Sequence, residues 1–140
     1  MMYFADKLHL EKYGRFICGD NYVAMKHGPV PSSTYDLLKI VRDETLKDNL
    51  THRAFTVQDK FLVKPLRTAN LDYFSESDLE CLDNTIKKYG HLSFNLLTDL
   101  SHDKAWQAAD ENDCIDIEQI VATLVNTGNL LDYLRDPCPG

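Results

Sequence analysis

The 140-residue sequence contains no apolar run long enough to cross a membrane, and its first residues, MMYFADKLHLEK, lack the apolar core of a signal peptide. A membrane-spanning helix needs about 20 consecutive, mostly apolar residues. A secretory signal needs a basic start followed by a continuous apolar region. We therefore expect a cytoplasmic protein with no membrane partner.

The sequence has no C-x-x-C pair, because its four cysteines, Cys18, Cys81, Cys114 and Cys138, are far apart. This argues against a zinc knuckle and a dithiol redox motif, and in a reducing compartment we expect free thiols. The sequence also lacks a G-x-S-x-G nucleophile motif, a Walker motif and a dinucleotide fingerprint. No motif indicates an enzyme, and we expect neither a cofactor nor a bound metal.

Basic residues are scarce in the second half of the chain. Residues 1–70 carry 11 basic and 8 acidic groups (+3), residues 71–140 carry 4 and 14 (−10), and the sum is −7. Such a surface repels nucleic acid and favours a basic protein partner. The candidate partner-binding residues are Asp110, Glu111 and Asp113. The alternative is that solvated helix faces are simply rich in acid.

Hydrophobic periodicity predicts a mostly helical chain. Its length and 44% apolar content suit a single compact domain over residues 1–140, of α+β class and predominantly α. Short strands are expected near residues 15–25 and 54–64, forming a small antiparallel β element. The predicted helices cover residues 1–12, 32–48, 76–89, 94–100 and 104–109, with C-terminal helices within 110–135 and a frayed tail at 136–140.

Four helix and strand boundaries have specific local signals. Arg15–Cys18 and Tyr22–Met25 are predicted to pair as strands through a turn at Gly19-Asp20-Asn21. The prolines of Gly28-Pro29-Val30-Pro31 impose an extended backbone before the next helix, where Ser33 and Asp36 have capping-box spacing. Ser75 and Asp78 have the same spacing, and Gly14 suits the residue that ends the first helix.

Two constellations could support chemistry. Asp6 and His9 share a helix face at i, i+3, and with His27 or Cys18 they could form a metal site or the centre of a His-dependent hydrolase. The alternative is a core histidine bonded to a carboxylate or backbone group. Lys26-His27-Gly28, ahead of a helix start, could bind an anion, although the prolines remove two N–H donors.

An ordered series of residues resembles the SocA-like antitoxin domain, also called the Panacea domain, known from phage- and mobile-element-associated proteins. The resemblance runs from the first residue to about residue 109. It is strongest at Tyr3, Phe4, Asp6, His9, Tyr13, Gly14, Gly19, Asp20, Gly28, Pro29, Val30, Pro31, Tyr35 and Trp106.

The resemblance implies a prokaryotic antitoxin, not an enzyme, that neutralises a protein toxin encoded by a neighbouring gene by binding it directly. In at least one branch of the family the antitoxin is an adaptor that delivers its toxin to a Clp-type protease. Some members have an additional DNA-binding segment, for which this chain has no room, so we expect no direct nucleic-acid binding. Members usually have a further apolar turn before the Tyr-Phe-Ala-Asp motif, so we expect either a late start or a short first helix.

Overall fold

The computed structural model describes residues 1–43 and 51–124. Within these ranges helices alternate with two separate antiparallel two-stranded sheets, which confirms the predicted α-dominated α+β class. In chain order the elements are α1 (Met2–Tyr13), β1 (Tyr22–Met25), β2 (Gly28–Pro31), α2 (Ser32–Arg42), α3 (Thr51–Ala54), β3 (Phe55–Gln58), β4 (Leu62–Pro65), a 3₁₀ turn (Leu71–Tyr73), α4 (Glu76–Tyr89), α5 (Phe94–Ser101), α6 (Lys104–Ala108) and α7 (Ile117–Ala122).

Helix α1 is central, packing against α4, α7 and β2. It begins without a side-chain cap and ends at Gly14, whose φ of 78° is the left-handed conformation expected after a helix. The buried core lies between α1, β1, α6 and α7. Its members are Tyr3, Leu10, Tyr22, Ala24, Ala105, Ile115, Ile120 and Val121.

The strand prediction near residues 15–25 is half right. Tyr22–Met25 is a strand, but its hairpin partner is Gly28–Pro31 and not Arg15–Cys18. The backbone of Arg15–Cys18 instead bonds to side chains of α1. Ile17 N–H donates to Asp6, and the Arg15 carbonyl accepts from His9. Two of its backbone groups are therefore satisfied by side chains and not by a strand partner.

Residues 112–115 run along the free edge of β1, which the sequence pattern did not indicate. Ala24 exchanges hydrogen bonds with this segment, donating N–H to Asp113 O (2.9 Å) and accepting from Asn112 N (2.7 Å). Ile115 N–H donates to Tyr22 O at 2.8 Å. The loop before α7 is thus fixed to the first sheet through its backbone.

The second hairpin is found as predicted, with Phe55 opposite Pro65 and Val57 opposite Val63. Its turn contains neither glycine nor asparagine, yet Asp59 and Lys60 both adopt positive φ (52° and 71°). Strand β3 packs against α2, whereas every residue of β4 is exposed.

Several predicted boundaries hold because the signals are local. Helix α4 begins with a complete capping box between Ser75 and Asp78, and the Ser93 side chain caps α5.

Cys18, Cys81 and Cys114 are free thiols. The predicted extension of α2 to residue 48, the last helix near 130–134, the tail at 136–140 and Cys138 lie outside the described residues. In the parts that the structure describes, no helix is long and apolar enough to span a membrane.

Candidate functional site

Asp6 is a buried carboxylate that joins three segments of the chain. Its side chain is 1% exposed, accepts a hydrogen bond from Tyr22 Oη at 2.5 Å and accepts another from Ile17 N at 2.8 Å. Burial, the hydrogen bond and the negative charge of Asp6 together raise the pKa of the Tyr22 phenol far above its ordinary value. Asp6 therefore links α1 to β1 and to the segment between them.

His9 is fully buried and occupied on both ring nitrogens. Nδ1 lies 2.8 Å from the Arg15 carbonyl oxygen, which can only accept, and Nε2 lies 2.9 Å from Ser77 Oγ and 3.2 Å from Asp78 Oδ1. Burial opposes ionisation of Asp78. Hydrogen bonds from Ser75 and the Arg15 guanidinium outweigh that effect and hold the pKa of Asp78 below its usual value. His9 therefore ties α1 to the start of α4.

In the described part of the chain, the Asp6–His9 pair of the hydrolase hypothesis is used for contacts within the fold. Asp6 and His9 share a helix, but each is bonded to different partners within the fold. His27 is on the exposed turn between β1 and β2, with its ring edge-on to Phe94 at 5.3 Å. Among the residues described, no group of three His, Cys, Asp or Glu side chains is placed to hold a metal ion.

The predicted Ser33–Asp36 capping box at α2 is wrong. The N-cap position is Pro31, which has no side-chain acceptor, and Asp36 pairs instead with Lys39. The cap comes from Asp20, whose carboxylate accepts from Ser33 N (3.1 Å), Thr34 N (3.0 Å) and Thr34 Oγ1 (3.1 Å). The helix N-terminus proposed as an anion site is thus occupied by a carboxylate of the chain itself.

We expect Asp20→Ala to lower the free energy of unfolding by about 1–2 kcal/mol, the usual cost of losing an N-cap. Partial burial raises the pKa of Asp20, but the hydrogen bonds from Thr34 and Ser33 lower it more, so the net shift is downward. A carboxyl with a lowered folded-state pKa stabilises the fold above its unfolded-state pKa and loses that contribution as the pH falls through the folded-state pKa.

Urea unfolding of wild type and Asp20→Ala as a function of pH tests this. The difference in the free energy of unfolding between wild type and Asp20→Ala should have its full size above about pH 5 and should shrink as the pH drops below about 4. The control Asp20→Asn keeps a hydrogen-bond acceptor and should lose less stability than Asp20→Ala. A wild-type-to-alanine difference that stayed constant down to pH 2 would show that the charge of Asp20 is unimportant.

Other family-signature residues also connect elements of the fold. Tyr3 Oη donates to Asp103 and Tyr13 Oη to Glu80, both at 2.7 Å. Phe4 stacks on Tyr89 with ring centroids 4.3 Å apart. Trp106 packs against the core while half-buried, and its Nε1 donates to Met25 O at 2.8 Å.

The glycine and proline residues of the signature build the β1–β2 hairpin. Pro29, Val30 and Pro31 are half-buried in β2, opposite Ala24, Val23 and Tyr22 respectively. Gly28 begins the strand with φ +124°. A Cβ on Gly28 would lie 2.3 Å from Ser101 Oγ, so the strand and α5 approach each other too closely for a side chain.

Sequence reasoning missed the capping roles of Asp20 and Asp103. Asp103 accepts from Tyr3 Oη, Lys7 Nζ and Trp106 N. Its place immediately before a predicted helix was a usable N-cap signal. Asp20 had no such signal, because the helix that it caps starts 12 residues later.

Asp110, Glu111 and Asp113 lie together on an exposed turn, which we call the acidic loop. Asp113 accepts from Cys114 N at 2.8 Å, and the backbone bonds to Ala24 fix the loop against β1. Glu111 also borders a cleft of about 360 Å³ next to Trp106. The acidic loop thus presents carboxylates from a fixed backbone beside an aromatic ring.

The described chain is therefore a helical scaffold with two small hairpins, and its signature polar residues are used within the fold. The antitoxin SocA-like, Panacea domain family model matches residues 1–107, and the chain belongs to this family. No curated protein and no solved structure matches the chain.

Proposed function

We propose that this chain is an antitoxin that neutralises a protein toxin, encoded by a neighbouring gene, by binding it directly through the acidic loop. Membership of the SocA-like antitoxin family supports the antitoxin role. The observation that carries the choice of surface is the geometry of the loop. Three exposed carboxylates lie on a backbone that is bonded to β1. The loop would therefore lose little conformational entropy when a partner binds.

The chemistry of the acidic loop indicates the type of surface that it would contact. Asp110, Glu111 and Asp113 would attract a basic patch, and the adjoining Trp106 cleft could hold the aliphatic part of an arginine or lysine side chain. Lys26, at the same cleft, adds one positive charge that favours a mixed partner surface over a uniformly basic one. A toxin that acts on RNA would provide basic side chains for such a contact, because phosphate binding uses lysine and arginine.

Expression of the neighbouring reading frame, alone and together with this chain, tests the proposed function. We expect growth arrest when the neighbour is expressed alone, and normal growth when both proteins are present. A neighbour without effect on growth would contradict the proposal. The amount of toxin in rescued cells separates two mechanisms, because blocking leaves it unchanged whereas delivery to a Clp-type protease lowers it only in cells that contain the protease.

Charge reversal in the acidic loop should slow association. With Asp110→Lys and Glu111→Lys together, we expect the association rate with the toxin to fall about tenfold at low salt and to become less sensitive to salt. Adding Asp113→Lys should lower the association rate further. Stopped-flow or surface-binding kinetics over a salt series measure both quantities.

The matched control reverses Asp83 and Asp99, which are exposed acidic residues on α4 and α5. It changes the net charge by the same amount at another place. If the control slows association as much as the loop variant does, steering comes from overall charge and the acidic loop is not the binding surface.

A further inference from the structure

A second exposed surface lies around the β3–β4 hairpin. Every residue from Gln58 to Tyr73 is exposed, and this stretch includes Phe61 and Tyr73, at 83% and 86% exposure. Leu62, Val63, Leu66 and Leu71 are each at least 44% exposed. Large apolar side chains concentrated at the surface mark binding sites more often than single exposed ones do.

One face of this hairpin forms a groove with α2. Val57, Phe61 and Val63 on the hairpin and Tyr35 and Leu38 on α2 border a cleft of about 270 Å³. We call this cleft the hairpin groove. Its lining is mainly apolar, and it is large enough for one or two side chains, not for a folded domain.

The charge around the hairpin groove is opposite to that of the whole chain. The stretch 59–67 contains three basic residues, Lys60, Lys64 and Arg67, and one acidic residue, Asp59, while the chain has a net charge of −7. Within the described part of the chain these three side chains form no ion pair. On α2, by contrast, Lys39 and Arg42 pair with Asp36 and Asp43, so the unpaired positive charge belongs to the hairpin.

We propose that the hairpin groove binds an acidic, apolar segment of a partner protein. An apolar side chain of that segment would fit between Phe61 and Leu38, and a carboxylate would meet Lys60, which borders the hairpin groove. The inference rests on the proposed function only for the identity of the partner, the toxin. Together the two surfaces would contact a basic and an acidic region of the same toxin, which fixes its orientation.

The observations favour a protein segment over nucleic acid. Nucleic-acid affinity grows with the number of phosphates neutralised, and this hairpin provides only three unpaired cations on an acidic chain. Its apolar lining is instead suited to aliphatic or aromatic side chains.

Fluorescence anisotropy with the full chain and a labelled peptide in which glutamate alternates with leucine tests the hairpin groove without the toxin. We expect saturable binding that Phe61→Ala and Lys60→Glu each weaken about tenfold. The matched controls are Phe94→Ala, an aromatic residue 64% exposed on α5, and Lys87→Glu, exposed on α4. These should bind as wild type does. All four changes are at exposed positions, and thermal melts confirm that the variants fold.

Four results would overturn the proposal. They are no binding of the glutamate–leucine peptide, equal binding of a peptide with lysine in place of glutamate, equal weakening by the control variants, and displacement of the peptide by single-stranded oligothymidine. Failure of the proposed function is distinguishable from these. A harmless neighbouring gene product leaves peptide binding intact, whereas a toxin complex unaffected by Phe61→Ala refutes only the hairpin groove.

Discussion

Replacing Asp6 with alanine is expected to lower the free energy of unfolding by about 3 kcal/mol. The substitution leaves the hydroxyl of Tyr22, which is 2% exposed, and the Ile17 N–H without the acceptor that both use. Hydrogen bonds to a charged group are stronger than neutral ones, and a buried donor without an acceptor is costly. Denaturant unfolding measures the change.

Two further variants assign the loss to the Asp6–Tyr22 contact. Tyr22→Phe removes one donor and should cost about 1–2 kcal/mol, and the double variant should be less destabilised than the sum of the single ones. The control Asp36→Ala removes a carboxylate from a solvent-exposed ion pair and should change stability by less than about 0.5 kcal/mol.

The same variants decide whether Asp6 is structural or functional. If Asp6→Ala leaves stability unchanged but abolishes rescue from the toxin, Asp6 acts on a ligand or partner, and its assignment to the fold is wrong. If instead stability and rescue decline together, and rescue returns at lower temperature, its role is structural.

Gly28→Ala is expected to destabilise the fold by roughly 3 kcal/mol. Two effects add, since a φ of +124° is strained for a residue with a side chain and the new Cβ would lie 2.3 Å from Ser101 Oγ. Ser101 is buried, and its hydroxyl donates to Thr98 O at 2.8 Å, so it has little freedom to move away. Thermal or urea unfolding of the variant measures the loss.

Gly19→Ala is the matched control. Gly19 also has positive φ, +64°, but a Cβ there would meet nothing within 4 Å. Gly19→Ala should therefore lower the free energy of unfolding by only about 1 kcal/mol, from backbone strain alone. Equal losses at the two glycines would mean that the close approach of β2 to α5 is unimportant.

The sequence predicted those parts of the fold that depend on neighbouring residues. The Ser75–Asp78 capping box, the Gly14 helix end and the second hairpin are all specified within a few residues. These signals are short-range, and packing elsewhere in the chain did not override them.

Features that depend on distant residues were missed or wrong. Asp20 replaced the expected Ser33 cap because the chain brings a stronger acceptor to the helix start. The strand expected at Arg15–Cys18 was lost because Asp6 and His9 take up its backbone groups. Hydrophobic periodicity does not report such contacts, since it treats buried polar residues as surface ones.

For the candidate site, the family resemblance was informative about class but not about surface. Asp6, His9, Tyr13 and Trp106 all bond within the fold, so the signature reports mainly how the scaffold is built. Two signature residues border the proposed contact surfaces, Tyr35 at the hairpin groove and Trp106 at the cleft beside the acidic loop. The acidic loop was identified from charge alone, and its attachment to β1 required the structure.

Direct binding is the central claim, and light scattering during size-exclusion chromatography of the purified chain mixed with the neighbouring gene product tests it. We predict a stable complex of fixed stoichiometry that contains both proteins, which the Asp110→Lys, Glu111→Lys variant weakens and the Asp83→Lys, Asp99→Lys control does not. Elution as two separate species, although the chain relieves growth arrest in cells, would contradict neutralisation by direct binding.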